Sequence, residues 1–569
     1  MLKKTTLLNS RTALQLGGLI GALRTAQAGR TLSTRTLGIH PAFARSTLKL
    51  IFSILMIGFG TVAAAQAAAP TIFFSDLESA PKTGGENNNG AFVTLYGNNF
   101  GTSPTVTVGG GQALIKLQPS NYLWYQKMTV QLGPNAATGN IVVTNSNGSS
   151  NGLPFTVRSG NIYFAGSQSG DQPSIVACKN ALAAGDICYV RDGLSATSVE
   201  NYTANIVLGA LGTATMPRAL VVYPGASATI GTLSSARGVY ACSGYSSCPN
   251  GSYWVVAGFN LRGITAGDLI NVSNISMVGN DFYCPQGTGR TACLEVENSS
   301  YSRILGNYHH ESGVSPTDKY YHRLYFSDSS SHHEVAWNEI TGGYANRGIQ
   351  FYTSGDPTYD LSVHDNYIHN IVGDGINFAT VNAGSGKVEA YNNLIVSVGK
   401  GPDPSNGSSN YACFMIDGIN SGTVEIYNNT MYDCGSRRGS AAGGIGAGVN
   451  TRLRNNIMYQ IGSEVYLESE YGDSMISGSN NLWYGVGNGP SQTTGNINAN
   501  PQFVSVGSNF QLSASSPAIN MGTTISTLTM DMNGNYRPQG SGYEIGAYEY
   551  GSSSTPVTIS VPTNLRVLQ

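Results

Sequence analysis

The sequence predicts an all-β chain in two parts, a small β-sandwich followed by a parallel β-helix, and three observations carry that prediction. Gly accounts for 72 of 569 residues, beside abundant Asn, Ser, Thr and Tyr, a composition that favours strands and turns over helices. Between residues 70 and 157, short alternating stretches are broken by Gly, Asn and Pro. After them, an asparagine recurs at a nearly constant spacing, the mark of an internal repeat. A chain of this length divides into more than one unit and has ample material for a core.

The segment before Ala68 stands apart from both units. No acidic residue precedes Asp76, whereas eight Lys and Arg do. The apolar run "LIFSILMIGFGTVAAAQA" at residues 50–67 follows this basic flank and ends in Ala65-Gln66-Ala67, the pattern of a secretory signal. A membrane anchor would need ~20 apolar residues, and the run breaks into Gly and Ala too soon. We therefore expect a leader over residues 1–67 and a mature chain from about Ala68 that is secreted or held at the cell surface, with no membrane attachment. That mature chain carries 22 Lys and Arg against 32 Asp and Glu, a balance that argues against a nucleic-acid partner. The eight cysteines form four close pairs, Cys178/Cys188, Cys242/Cys248, Cys284/Cys293 and Cys413/Cys434, which in an exported chain read as disulfides.

The alternation in "AFVTLYGNNFG", "PTVTVGG", "MTVQLG" and "GNIVVTNSNG", with turns every 8 to 12 residues, suits a small sandwich over residues 68–158. The stretch "GAFVTLYGNNFGTSPTVTVGG" resembles the IPT/TIG family of immunoglobulin-like domains. That resemblance implies a spacer or binding module without catalysis. A chain starting near Gly160 is expected to fold on its own.

The repeat is carried by Asn280, Asn307, Asn338, Asn366, Asn393, Asn429, Asn456 and Asn481, whose successive intervals are 27, 31, 28, 27, 36, 27 and 25. With no helical pattern between them, each interval is one coil of three short strands, and the asparagines stack at one corner as a ladder of amides. Residues 159–550 resemble the right-handed, pectate-lyase-like parallel β-helix superfamily. The stretch from "NPQFVSVGSNF" to "EIGAYEY" resembles the terminal segment of secreted β-helix proteins, and residues 551–569 read as a linker-like tail.

Residues one period apart become neighbours about 4.8 Å apart. Aligning "RLYF" (323–326), "GIQF" (348–351) and "GINF" (375–378) turns Leu324, Ile349, Ile376, Phe326, Phe351 and Phe378 inward. Tyr325, Gln350 and Asn377 are then left in an outward column, with His322, Arg347 and Asp374 in a second column beside it, whereas counting back from the corner asparagines sets Lys319 level with Arg347, so that in either register a potential base sits one coil from Arg347. An extended groove on a repeat suits an extended polymer, so the expected partner is an extracellular polysaccharide, probed by Tyr320, Tyr325, Gln350, Asn377, Asp374 and His310. The protein is expected to be a monomer.

Elimination across a uronic acid needs a cation beside the carboxylate, a base for the neighbouring C–H and an acid for the leaving oxygen. Arg347 suits the first role. His322 or Lys319 suits the second, with His322 preferred because Lys319 would need its pKa lowered. Tyr320, Tyr321 or Tyr325 suits the third, and Tyr321 is taken with the catalytic set. The expected activity is therefore that of a lyase on an anionic polysaccharide. A non-catalytic carbohydrate-binding β-helix and a β-helix glycoside hydrolase remain as alternatives.

Hydrolysis would require two carboxylates at a set separation, and Asp356, Asp360, Asp365 and Asp374 are candidates for that role or for Ca²⁺. No cofactor is specified otherwise. The pairs His309/His310 and His332/His333 place neighbours on opposite faces of a strand, so neither chelates as a unit. His364 and His369 read as turn residues. No nucleophile elbow or phosphate loop has the required context.

Overall fold

The computed structural model describes residues 68–244, 250–315, 320–401, 411–418, 421–435, 443–447, 450–469 and 475–551. The leader, Cys248, Lys319 and the tail from residue 552 lie outside the described residues. Among the described residues, no helix is long and apolar enough to cross a membrane.

The first unit is the expected sandwich. Thr71–Ser75, Phe92–Asn98, Tyr125–Gln131 and Gly111–Tyr122 form one antiparallel layer. Thr105–Val108, Gly139–Asn145 and Leu153–Val157 form the other, and the long strand Gly111–Tyr122 passes between the two layers. "VGGG" closes the hairpin joining Val108 to Gly111 through Gly109 and Gly110, at φ 55° and 84°. This is a two-residue turn that needs positive φ at both positions. A Cβ on Gly109 would also collide with the Ala137 carbonyl.

From Ile162 the chain winds through three parallel sheets, taken in the same order on every coil. Sheet I runs from Ile162–Ala165 to Ile476–Ser479, sheet II from Ser195–Ala196 to Ile497–Asn498, and sheet III from Ala204–Leu208 to Val465–Ser469. Among the described residues they hold twelve, twelve and ten strands. This is a right-handed parallel β-helix, the hand that parallel crossovers take. Its interior is one apolar column, in which the rings of Phe326, Phe351 and Phe378 stack at 4.7 and 5.4 Å. The helix Ile175–Ala181, capped by Ser174 Oγ accepting from the Ala177 amide, closes the first coil, and Cys178–Cys188 staples it there.

The corner between sheets I and II explains the sequence period. Each coil turns there through one left-handed residue followed by the ladder asparagine. The left-handed positions are Gly279, Gly306, Trp337, Asp365, Asn392, Asn428, Asn455 and Asn480, with φ between 51° and 62°. Gly, Asn and Asp tolerate that conformation best, which is why the motif reads "GN", "DN" or "NN". Each buried ladder amide is fully used. Asn366 donates to Val335 O and Asn393 Oδ1, and its Oδ1 accepts the backbone and side-chain N–H of Asn338. Asn366→Leu would orphan the donors of Asn338 in an apolar interior. We expect a loss of about 3 kcal/mol, read as a lower urea midpoint by circular dichroism.

Cys284–Cys293 and Cys413–Cys434 are bridged as expected, with Cα atoms 5.8 and 5.3 Å apart. Cys242 is disulfide-bonded.

Two features depart from the sequence reading. The coils end at Asn498, and residues 499–550 form an arm that folds back over sheet II. Phe503 and Phe510 of this arm meet the rings of Tyr459 and Tyr432 at 6.3 and 5.3 Å within one apolar cluster, and the buried pair Arg537–Glu549 ties its far part together. The sandwich, moreover, is not an independent bead, because its core and the outer face of sheet I belong to one apolar cluster. Phe74 stacks on Trp337 at 5.1 Å, and Tyr125 donates to Trp337 O at 2.9 Å. Tyr122 donates to Gly306 O at 2.6 Å and Tyr189 to Phe92 O at 2.6 Å. Trp337 is the one bulky residue among the left-handed corner positions, and the aromatic rings of the sandwich cover it.

Candidate active site

Sheet III carries the columns expected from the sequence. Tyr325 pairs with Gln350 and Gln350 with Asn377, while Leu324, Ile349 and Ile376 face the core. The backbone N–H of Arg323 donates to Arg347 O and that of Gly348 to Asp374 O, so His322, Arg347 and Asp374 follow one another on successive coils.

Arg347 donates through Nε to Asp374 Oδ2 at 2.7 Å, and 23% of its side chain stays exposed. Burial pulls its pKa down, but Asp374 and then Asp417 more than offset this, so the guanidinium is held charged, and among the described residues Asp374 is its one side-chain hydrogen-bond partner, which leaves an edge for an anion. His322 lies one coil away. Burial, with Arg347 and Arg323 behind it, drives its pKa well below 6.5 and leaves a neutral imidazole. Its Nδ1 has no hydrogen-bond partner among the described residues. Tyr325 presents its ring edge-on to His322 at 5.2 Å, and burial with Glu295 nearby raises its pKa to about 12. A neutral imidazole that is itself only 4% exposed, a fixed cation and a protonated phenol thus lie close together on sheet III.

Several expected site residues sit elsewhere. Tyr321 is fully buried and donates to Ile264 O at 2.5 Å, so it cannot reach that face as a catalytic acid. Asp374 is no sugar contact, because it is buried with Oδ1 on the Ala412 amide and Oδ2 on Arg347 and Asn377. Asn377 is buried too, its amide shared between Asp374 and Asp417, and Gln350 is nearly so. Tyr320 is 47% exposed with the Arg290 guanidinium over its ring. His310 lies on sheet II, stacked on Tyr308 at 4.4 Å and 3.2 Å from Asp281, and so does not line the same face.

His364 and His369 are strand residues rather than turn residues. His364 sits between Asp365 at 2.7 Å and Glu334 at 3.4 Å, and although burial opposes it these carboxylates hold its pKa up to about 9. His369 donates from Nε2 to Glu339 Oε1, 3.1 Å away, on sheet II. The four aspartates do not converge, since Asp356 is exposed, Asp360 pairs with His332, Asp365 with His364 and Asp374 with Arg347. Among the described residues, no group of three or more His, Cys, Asp or Glu is placed to hold a metal ion.

The sequence reading missed Glu295 and Glu297, which extend the outward face by one coil. Glu295 pairs with Tyr325 and Glu297 with Ser327. Extending the alignment to "CLEVE" would have found them. Burial, with Asp268 and Glu297 adding to it, raises Glu295 to about 7. In the folded state Glu295 therefore binds a proton that the unfolded chain has released, and stability falls as pH rises from 4.5 towards 7. Glu295→Gln is expected to raise the melting temperature at pH 8 and leave it unchanged at pH 4, as read by calorimetry.

The comparisons with known proteins fall on both units. A family profile described as the IPT/TIG domain matches residues 78–157. Residues 78–157 are an IPT/TIG domain. Among solved structures, pectate lyase Pel9A is 16% identical, covering 69% of this chain and 96% of its own, with a TM-score of 0.48. An alginate lyase from Paenibacillus sp. str. FPU-7 is 15% identical over 60% of this chain and 98% of its own, at 0.30. A family 28 exopolygalacturonase of Yersinia enterocolitica is 10% identical over 76% and 98%, at 0.41. No curated protein matches the chain. The IPT/TIG domain is thus the sandwich docked on sheet I, away from the sheet III face.

Proposed function

We propose that the protein is an exported polysaccharide lyase that cleaves a uronate-containing polymer by β-elimination on the outer face of sheet III. The observation that carries this reading is the placement of His322, Arg347 and Tyr325 on adjoining coils, in protonation states that suit their tasks. The free edge of Arg347 binds the substrate carboxylate and stabilises charge that develops as the α C–H is lost. His322 accepts that proton, and Tyr325 gives its phenolic proton to the departing glycosidic oxygen. Tyr325 takes the role first given to Tyr321. Lys319 stays a candidate base from the sequence alone. Export is supported by the basic leader with its apolar run and by the disulfides.

A second reading, hydrolysis, has one observation in its favour. Glu295, protonated near neutrality, and Glu297 lie two residues apart on one face of the same strand, a pair able to divide acid and nucleophile roles. Incubation with polygalacturonate, alginate and neutral glycans separates the two. Elimination gives an unsaturated product that absorbs in the ultraviolet, whereas hydrolysis gives reducing ends without it. Neither product from any polymer would leave a binding protein.

A further inference from the structure

The corner between sheets III and I carries a column that cleavage on sheet III does not use. Ser273, Ser300 and Ser331 bridge from coil to coil, and His333 pairs with Leu361, so Asn274, Tyr301, His332 and Asp360 stand in line on four coils. All four are left-handed, at φ 58°, 59°, 61° and 54°. Asn, Asp and His suit that conformation, but the bulky Tyr is strained in it, and such strain persists where the side chain is used. Trp337, strained likewise, is covered by the IPT/TIG domain. Tyr301 has no such cover and is 52% exposed.

The ring of Tyr301 lies flat on that of His332, 4.3 Å away and within 3° of parallel, and Asp360 holds His332 Nδ1 at 2.7 Å. The platform is therefore rigid. It borders a cleft of about 360 Å³ that is also lined by Asn274, Arg303, Ser362 and Lys387. Through Asn274, Tyr301 and Arg303 this cleft continues into a second, of about 330 Å³, whose far wall is Asp76, Glu78 and Arg158 of the sandwich. The trough spans five coil steps, from Trp254 to Val388, or about 24 Å at the usual strand spacing.

We propose that this trough is a second saccharide-binding site, built jointly by the IPT/TIG domain and the β-helix, and that it takes a neutral, hydroxyl-rich stretch of polysaccharide. Its length fits several sugar rings. The C–H face of one ring would lie on Tyr301, with hydroxyls reaching Asn274, Asp360 and Ser362. The charges decide for a neutral chain, because each cation of the trough is already engaged. Arg303 holds Glu78 and Glu334, and Lys387 holds Glu389. Arg158 donates to Ser79 Oγ and to the Gly185 and Pro217 carbonyls. The trough thus offers a uronate nothing like the free edge of Arg347.

Affinity electrophoresis of the intact protein in native gels containing galactan, xylan or dextran tests this without requiring turnover, so it stands or falls apart from the cleavage reading. The wild type is expected to be retarded in at least one gel, and Tyr301→Asn to weaken that binding at least tenfold. Asn also accepts the backbone conformation, so the same variant is expected to melt at or above the wild-type temperature. Arg347→Lys, which keeps a cation beside Asp374, should be retarded like the wild type. The proposal is overturned by absence of retardation in all three gels, by unchanged retardation of Tyr301→Asn, by a lowered melting temperature of that variant, or by equal loss in Arg347→Lys.

Discussion

Arg347→Ala is expected to abolish most turnover on the uronate polymer, with a loss of ~3 to 4 kcal/mol of transition-state stabilisation, or about 10² to 10³ in kcat/KM. The same change strands the buried Asp374 carboxylate, and an unpaired buried charge costs stability as well. Arg347→Lys separates the two effects. It leaves a cation near Asp374 and so should keep the fold, but it loses the forked edge and should remain slow. His322→Ala breaks no hydrogen bond at Nδ1 and is expected to stay folded while losing ~10² to 10⁴ in rate. Because His322 is neutral well below pH 6.5, the acid limb of kcat/KM should fall below that value in the wild type. An acid limb centred near 6.5, or three folded and fully active variants, would remove this site assignment.

Deleting residues 68–158 is expected to give an insoluble product rather than an independent β-helix, against the expectation from sequence. The deletion would bare the outward column Tyr189, Val221, Val255, Ala257, Val278, Leu305 and Trp337, now part of one apolar cluster with the sandwich. A contiguous apolar face of that extent drives association. It would also leave Arg303 without Glu78, and Tyr223 and Arg191 without Glu86. A soluble, monomeric product with wild-type melting behaviour, measured by light scattering and calorimetry, would show that the contact contributes little.

The coil register was legible from the alternation within each strand, which aligns Leu324, Ile349 and Ile376 and so sets Tyr325 opposite Gln350 and His322 beside Arg347, while the ladder asparagine marks the coils but, counted back, sets Lys319 there instead. What the periods cannot give is cover. Whether an outward position is open depends on chain from distant coils, so Asn377 and Asp374 were taken for surface although both are buried. Tyr321 was misjudged for the same reason, since its burial arises from Ile264 and Gly287 on earlier coils. His364 reads as a turn residue in the sequence, yet the left-handed Asp365 bends the chain while His364 completes its strand. The docking of the sandwich had one local signal, a tryptophan where the corner prefers Gly, Asn or Asp.

Thr71, on the first strand of the sandwich, donates to Gly534 O, and Asn98 reaches Asn533 O, both on the C-terminal arm. A stack of coils ordinarily frays from its ends, each terminal repeat held by a single neighbour. Here the sandwich and the C-terminal arm are latched to each other across the side of the stack, so neither can peel away without first opening that latch. Denaturation should therefore be abrupt rather than gradual, and a pull applied between the sandwich and the arm would load a short clasp of hydrogen bonds before any coil felt it.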